Sequence, residues 1–164
     1  ILILLILKSC TVSYSTNSGG NIPDDAKTFS VIYFENRAPL SSGIASQAFT
    51  EDLKDVFINQ TKLSLQNEDG DLSFEGYISQ YKVTPISIQA GNESNASAAK
   101  NRFTMAVKVT YINLLDEEKN FERTFSRFVD FDASDDFSSI ENRLLDEVNE
   151  QLTQDIFNAS VGDW

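Results

Sequence analysis

The clearest pattern in the chain is an alternation of apolar and polar residues between Arg102 and Leu115. The apolar side chains occupy the odd positions, at Phe103, Met105, Val107, Val109 and Tyr111. Successive side chains of a β-strand point to opposite faces, so this pattern predicts a strand with one buried and one solvated face. Such a strand belongs to a sheet that is covered on one side.

Four other segments predict further strands. Thr28–Asn36 and Phe121–Phe131 are rich in β-branched and aromatic residues, and "LSLQ" is a short run of the same kind. A long strand is predicted from Leu72 to about Ile88, and Pro85 within it indicates an edge position or a bulge. The Asp69-Gly70 pair just before it is typical of a hairpin turn.

Two segments have the spacing of amphipathic helices. The first runs from about Ile44 to Gln60, and the second from about Ser138 to Asn158. Ser138 and Glu141 form a capping-box pattern at the start of the second helix. The apolar stripe of the first helix includes Phe49, Leu53 and Phe57, and that of the second recurs at Ile140, Leu144, Val148, Leu152 and Ile156.

The order of these elements, β-α-β-β-β-β-α, predicts an α+β fold. We expect a two-layer sandwich in which both helices pack on one face of a largely antiparallel or mixed β-sheet. The apolar helix stripes should contact the odd-numbered face of the strand at 102–115. This domain is expected to occupy residues 28–164.

The N-terminal segment has the character of a targeting sequence. Seven aliphatic residues, "ILILLIL", are too few to cross a bilayer but match the apolar part of a signal peptide. The following Lys8, Ser9 and Cys10 resemble, with Leu7, the lipobox of bacterial lipoproteins, although Lys8 departs from the usual uncharged residue. We therefore expect residues 1–9 to be a truncated signal peptide, Cys10 to be lipidated, and residues 10–27 to be a flexible tether rich in Ser, Thr, Asn and Gly.

Composition narrows the classes of function. The net charge is −12, with 25 acidic and 13 basic residues, which disfavours nucleic-acid binding because phosphate neutralisation needs a basic surface. Histidine is absent, which removes the commonest general base and metal ligand. No phosphate-binding glycine loop, nucleophile elbow or zinc pattern is present. No cofactor is predicted.

One acidic segment resembles a calcium-binding loop. Asp130, Asp132, Ser134, Asp136 and Glu141 have the spacing of its ligands. The glycine that such a loop needs is replaced by Asp135, and a strand rather than a helix precedes the segment. The other interpretation is a strand-to-helix turn, where acidic residues are favoured by the helix dipole.

Several segments, taken in order, resemble the LptE family of outer-membrane lipopolysaccharide-assembly lipoproteins. They are the lipobox cysteine, "VIYFENRAPL", "FTEDLKDVF", "DLSFEGYISQYKVTPI", "NRFTMAVKVTYIN", "NFERTFSRFVDFD" and "QDIFNASVGDW". The resemblance implies a lipid-anchored, non-enzymatic protein of the outer membrane. It also implies a domain that faces the periplasm or lies inside the LptD β-barrel, helps to assemble that barrel, and takes part in lipopolysaccharide delivery.

The solvated face of the best strand supplies a candidate lipopolysaccharide site. Lys100, Arg102 and Lys108 share even parity, so they project from one face if Lys100 belongs to the strand. Grouped cations offset the overall negative charge locally and suit phosphate contact. The alternative for these three cations is that they are ordinary surface charges. The alternatives for the function are a lipoprotein that assembles another barrel or a secretion pore, and a calcium- or carboxylate-dependent periplasmic enzyme.

Overall fold

A computed structural model of the chain describes residues 22–40, 43–86 and 99–162. In chain order the elements are β1 (Thr28–Val31), β2 (Glu35–Asn36), α1 (Gly43–Gln60), β3 (Ser64–Gln66), β4 (Leu72–Ile86), β5 (Lys100–Asn113), β6 (Phe121–Asp132) and α2 (Phe137–Val161). A 3-10 turn at Glu117–Lys119 joins β5 to β6.

The strands form one mixed sheet in the order β3-β1-β4-β5-β6, with β2 alongside β4. The pairs among β1, β2, β3 and β4 are parallel, whereas β4, β5 and β6 run antiparallel to one another. Both helices bury their apolar stripes in the core on one face of this sheet. The predicted α+β class and layer arrangement are confirmed.

The predicted strand at 28–36 is interrupted between β1 and β2. Phe34, in the break, is fully buried. Its backbone N–H donates to Thr50 Oγ1 of α1 at 3.1 Å, so a helix side chain replaces a strand partner there. The aromatic ring of Phe34 meets that of Phe49 edge-on at 5.1 Å. Local β-propensity was therefore outweighed by packing against the helix.

The predicted hairpin at Asp69-Gly70 is wrong. β3 and β4 are not neighbours, because β1 lies between them and pairs in parallel with both. The loop that joins β3 to β4 crosses β1, and Gly70 lies against its backbone. A Cβ at Gly70 would approach the carbonyl carbon of Phe29 to 2.5 Å. The glycine serves a close crossing of two chains rather than a two-residue turn.

A bulge divides β4 into two halves. The pairing with β5 shifts between Ile78 and Gln80, so Ser79 is the extra residue. Even-numbered side chains such as Phe74 face the helices before the bulge, and odd-numbered ones such as Tyr81 do so after it. Pro85 pairs only with β5, which agrees with the predicted edge position, although the bulge lies elsewhere in the strand.

β5 is the central strand of the core. Its odd-numbered side chains from Phe103 to Asn113 are all buried. They belong to the same cluster as the apolar stripes of α1 and α2, so the predicted packing on the odd-numbered face is confirmed. Phe57 links the layers, because its ring lies 4.6 Å from that of Phe74 in the sheet and 5.1 Å from that of Phe157 in α2.

The start of α2 differs from the prediction. Asp136, rather than Ser138, is the N-cap, and its carboxylate accepts from the Ser139 backbone N–H at 3.2 Å. Glu141 does not close a capping box, since its carboxylate accepts a hydrogen bond from the Tyr81 hydroxyl. The last residue of the turn therefore caps the helix, while the glutamate ties α2 to β4.

Truncation of one core residue tests this packing. Leu152 is fully buried on α2, so Leu152→Ala should lower the free energy of unfolding by about 2–5 kcal/mol. The neighbouring Gln151 is exposed and supplies the matched control, Gln151→Ala, which should change it by less than about 0.5 kcal/mol. Equal unfolding curves for the two variants in denaturant would contradict the assigned helix face.

Candidate functional site

The face of the sheet that lies away from the helices presents the cations of β5. The pairing of β5 with β6 is regular from Lys100 to Tyr111, so side-chain parity is kept along the strand. Lys100, Arg102 and Lys108 therefore project from the same, outer face. β5 contains these three basic residues and no acidic residue.

Arg102 is held in place by two neighbours on β6. Its Nε and Nη2 donate to the two carboxylate oxygens of Asp130 at 2.7 and 2.9 Å. The guanidinium also lies over the ring of Phe128, with Cζ 3.6 Å from the ring centroid. The hydrogen bond from Arg102 lowers the pKa of Asp130, and the charges of Arg102 and Lys100 add to that effect. The result is a fixed arginine on an exposed aromatic ring.

Lys108 belongs to a separate part of the face. It lies six residues from Arg102, which corresponds to about 20 Å along a strand. Its Nζ is 2.6 Å from Glu122 Oε1, and this hydrogen bond raises the pKa of Lys108. The structure thus brings Lys100 and Arg102 together and leaves Lys108 at the other end of the strand. Thr104 and Ala106 occupy the intervening outer positions, and Thr110 follows Lys108 on the same face.

A shallow depression of about 390 Å³ adjoins Lys108. Arg37 lies over the ring of Tyr77 at 4.3 Å, and its Nη2 is 3.4 Å from Glu35 Oε2. The exposed side chains of Ile32 and Tyr33 also line this depression. Arg37 was not predicted from the sequence. It follows β2 in a turn, so alternation along a strand could not indicate which face of the sheet it occupies.

Phe128 is a second residue that sequence reasoning missed. Two aromatic residues of β6, Phe125 and Phe131, pack beneath the helices. Phe128 instead projects outward and is 50% exposed. Its even position in the strand was the available signal, because Phe125, Val129 and Phe131 are all odd.

The acidic residues of the candidate calcium loop do not converge. Asp130 pairs with Arg102 on the outer face of the sheet, and Asp136 caps α2. Glu141 bonds to Tyr81, whose ring lies on the inner face. In the part of the chain that the structure describes, no cluster of three or more Cys, His, Asp or Glu residues is arranged to hold a metal ion. The segment is a strand-to-helix turn.

A groove between α1 and α2 is lined mainly by acidic and polar side chains. Asn149, which is fully buried, donates from Nδ2 to Asp52 Oδ2 at 2.7 Å. Burial raises the pKa of Asp52, the hydrogen bond from Asn149 opposes that rise, and the charges of Asp146 and Asp55 add to it. Together α1 and α2 contain eight acidic and two basic residues, so the helical layer is strongly negative.

The predicted lipidation site, Cys10, lies outside the described residues. Ile22 and Ala26, near the end of the segment assigned to the tether, pack partly against the core. Across residues 22–40, 43–86 and 99–162, no helix combines the length and apolarity needed to cross a membrane.

Comparison with known protein families identifies the chain. The profile described as LptE, lipopolysaccharide-assembly, matches residues 26–160, which is nearly the whole described domain. The chain belongs to the LptE family. This membership confirms the resemblance noted in the ordered sequence segments, and it makes the chain a member of a family of lipopolysaccharide-assembly lipoproteins. No curated protein sequence is similar enough to count as a match.

Solved structures similar to this LptE-family chain support the fold. A minor lipoprotein from Acinetobacter baumannii has a TM-score of 0.51 at 14% identity, with 81% of this chain and 91% of that one covered. A hypothetical protein from Chlamydia trachomatis has a TM-score of 0.54 at 9% identity, with 82% and 98% covered. A Xanthomonas campestris protein has a TM-score of 0.55 at 9% identity, with 87% and 86% covered. At such identities the likeness concerns the fold alone.

The acidic groove predicts a pH effect on stability. The fold raises the pKa of Asp52 above the ordinary aspartate value of 3.8, so the folded protein holds this proton more tightly than the unfolded chain does. The wild type therefore loses stability as the pH rises from 3.8 through the raised pKa. Asp52→Asn should therefore be more stable than wild type at pH 7, by up to about 1 kcal/mol. The difference should shrink as pH falls towards 4.

The control is Asp24→Asn, at an exposed turn residue whose charge does not contribute to the raised pKa of Asp52, and it should change stability less. Thermal melts of the three proteins between pH 4 and 7 make the comparison. A destabilised Asp52→Asn variant at pH 7 would contradict the assigned cost of burying this carboxylate.

Proposed function

We propose that this LptE-family protein is an outer-membrane lipoprotein, anchored through Cys10, that binds an LptD-like β-barrel and helps to assemble it. With that barrel it takes part in lipopolysaccharide delivery to the cell surface. It works by binding rather than by catalysis. The observation that carries this proposal is the family match across residues 26–160, on a domain whose central strand presents three cations on its outer face.

The distribution of charge favours the outer sheet face for lipopolysaccharide contact. The helical layer, with eight acidic and two basic residues, would repel the phosphates of lipid A. On the opposite side of the domain, the three cations of β5 balance the three acids on the outer face of β6, Glu122, Asp130 and Asp132. An anionic lipid that approaches the domain is therefore repelled less by the sheet than by the helices.

The ion pairs of this face leave donors for a phosphate. A guanidinium has five N–H donors, and Arg102 uses two of them on Asp130. A lysine ammonium has three donors, and the Nζ of Lys108 has one carboxylate partner, Glu122. A phosphate can thus be added without breaking either pair. Phe128 keeps the Arg102 guanidinium fixed and provides an apolar surface beside it.

The tether suits an anchored domain that docks on a barrel. Because Ile22 packs partly against the core, a free tether would run from Thr11 to residue 21 and span at most about 40 Å when extended, at roughly 3.3–3.6 Å per residue. A domain on such a tether can enter a barrel from the periplasmic side while its lipid anchor stays in the membrane.

Depletion of the protein tests the proposed role in barrel assembly. We expect the amount of mature LptD-like barrel and the surface lipopolysaccharide to fall together, and re-expression of the chain to restore both. An abundant porin serves as the control and should stay unchanged. Unchanged barrel and lipopolysaccharide levels would refute the assignment, and loss of a different barrel would favour the alternative assembly role.

Charge reversal tests the lipopolysaccharide face. Arg102→Glu with Lys108→Glu should weaken binding of purified lipopolysaccharide by about tenfold or more, because two attractive phosphate contacts become repulsive. The melting temperature should change little, since exposed ion pairs contribute only about 0–1 kcal/mol.

The matched control is the double variant Asp130→Asn with Glu122→Gln, which removes the two competing carboxylates on the same face and should strengthen binding. Added salt should weaken the wild-type interaction. Binding that survives the double reversal, or that does not respond to salt, would show that these residues are ordinary surface charges.

A further inference from the structure

Along most of the outer edge of β6, the backbone groups have no partner among residues 22–40, 43–86 and 99–162. β6 is the last strand of the sheet, with β5 as its neighbour on the other side. Ala133 N–H donates to Ala99 C=O at 3.0 Å, and these residues continue the β5–β6 register as a hydrogen-bonded pair. Hydrogen-bonded and non-bonded pairs alternate in antiparallel strands, so odd residues of β6 bond to β5.

The even residues of β6 consequently direct their N–H and C=O groups away from the sheet. Asp132 C=O accepts from the Asp135 N–H. For the other five, no described residue supplies a backbone partner on that side; they are Glu122, Thr124, Ser126, Phe128 and Asp130. All five side chains are exposed. An unpaired edge of this length is a template for another strand.

Three devices that commonly protect an edge strand, which are proline, a bulge and short length, are missing from β6. Its sequence, FERTFSRFVDFD, contains no proline, and its register with β5 has no bulge from Lys100↔Asp132 to Tyr111↔Phe121. The other sheet edge differs, because β3 has only three residues. Proline, bulges and short strands are among the means by which sheets avoid edge pairing, as are charged side chains, of which β6 has five. Among the described residues the β6 backbone is therefore open, and its charges restrict pairing to a partner of complementary charge.

The charges of β6 argue against a second copy as that partner. Its outer-face row carries the acids Glu122, Asp130 and Asp132, whereas its helix-side row carries Arg123 and Arg127. In the two registers with the fullest overlap, a two-fold pairing of two β6 edges that keeps both helical layers on one side would oppose Glu122 to Asp130 or to Asp132, and the second register would also oppose Arg127 to its own copy. Like charges directly opposite in a sheet are destabilising.

One cation on this edge has no carboxylate partner. Arg127 is bidentate with Asp155 of α2, at 2.6 and 2.7 Å. Arg123 has no acidic group within salt-bridge distance among the described residues, and its guanidinium lies 5.3 Å from the ring centroid of Phe121. An incoming strand with an acidic residue on its helix-facing side would supply the missing partner.

We infer that the β6 edge is a docking site for an extended segment of a partner protein, which adds to the sheet as a further strand. The segment pairs with the outward N–H and C=O groups of residues 122–130 and places an acidic side chain near Arg123. This mode of recognition takes its affinity from the main chain and its specificity from alternate side chains. It is separate from lipopolysaccharide binding and does not depend on it.

The test uses the full chain and a synthetic heptapeptide in which threonine alternates with valine. Glutamate replaces the valine at the central position of this peptide. Amide hydrogen exchange is measured residue by residue. In the free protein the amides of Thr124, Ser126 and Phe128 should exchange fast, and those of Phe125 and Arg127 slowly. The peptide should slow the even amides about tenfold or more and leave the odd ones unchanged.

Two control peptides separate strand addition from other binding. One with N-methyl groups on its pairing amides should give no protection. One with lysine in place of glutamate should bind the wild type about two- to fivefold more weakly, and Arg123→Glu should reverse this order. Ser126→Pro removes one outward N–H and should abolish protection. A melting curve shows whether this variant is folded. If it is not folded, the comparison of the two peptides on Arg123→Glu provides the test instead.

Several results would overturn the inference. Even amides as slow as odd ones in the free protein would mean that the edge is already covered. Protection that grows with protein concentration alone would assign the edge to a second copy. Equal protection by the N-methylated peptide, or none from the glutamate peptide at its solubility limit, would show that no strand is added.

Discussion

The domain depends on the two-sided character of β5. Its odd-numbered side chains must be buried beneath both helices, while its even-numbered ones must remain compatible with water. β5 also has long antiparallel partners on both sides, β4 and β6. A slip of one residue in either register would expose Phe103 and bury Arg102, so the alternation fixes the register of the whole antiparallel half. The parallel strands and the helices are assembled on that framework.

The same alternation explains how much of the fold was predictable. The identity of β5, the two helix stripes and the layer arrangement follow from periodicity in the chain. The bulge at Ser79 also left a signal, because buried residues of β4 change from even positions at Phe74 and Ile78 to odd ones at Tyr81. The crossing of β1 by the Asp69-Gly70 loop left none. A local turn signal indicates that the chain changes direction, and it does not identify the strand that will be the neighbour.

The candidate site was predictable only in part, for a related reason. Parity within one strand placed Lys100, Arg102 and Lys108 on one face. Their carboxylate partners, Asp130 and Glu122, lie on another strand, and the register between strands determines those contacts. Long-range pairing also contradicts the calcium interpretation, because Asp130 and Glu141 bind partners on opposite faces of the sheet. Spacing along the sequence could not separate them.

The difference in charge between the helical layer and the outer sheet face connects the fold with its proposed role. The helices carry eight acidic and two basic residues, and the side chains of Asp52 and Asn149 join the two helices through a partly buried hydrogen bond. The outer sheet face carries three cations of β5 balanced by acids of β6, and the β6 edge bounds it on one side. In the proposed role, the lipid-anchored domain would contact an anionic glycolipid with its sheet face and a partner strand with its β6 edge, and the acidic helical layer would lie away from both.

The assignment of the lipid-contacting face can be measured directly. Cys10 is the chain's single cysteine, so a version with Cys10→Ser allows one labelling site at a time. Thr104→Cys reports from the sheet face and Gln151→Cys from the helical face, each with a nitroxide label. On addition of lipopolysaccharide vesicles, a sheet-face site predicts loss of water accessibility and mobility at residue 104 and none at residue 151. A change at residue 151 without one at residue 104 would contradict the account.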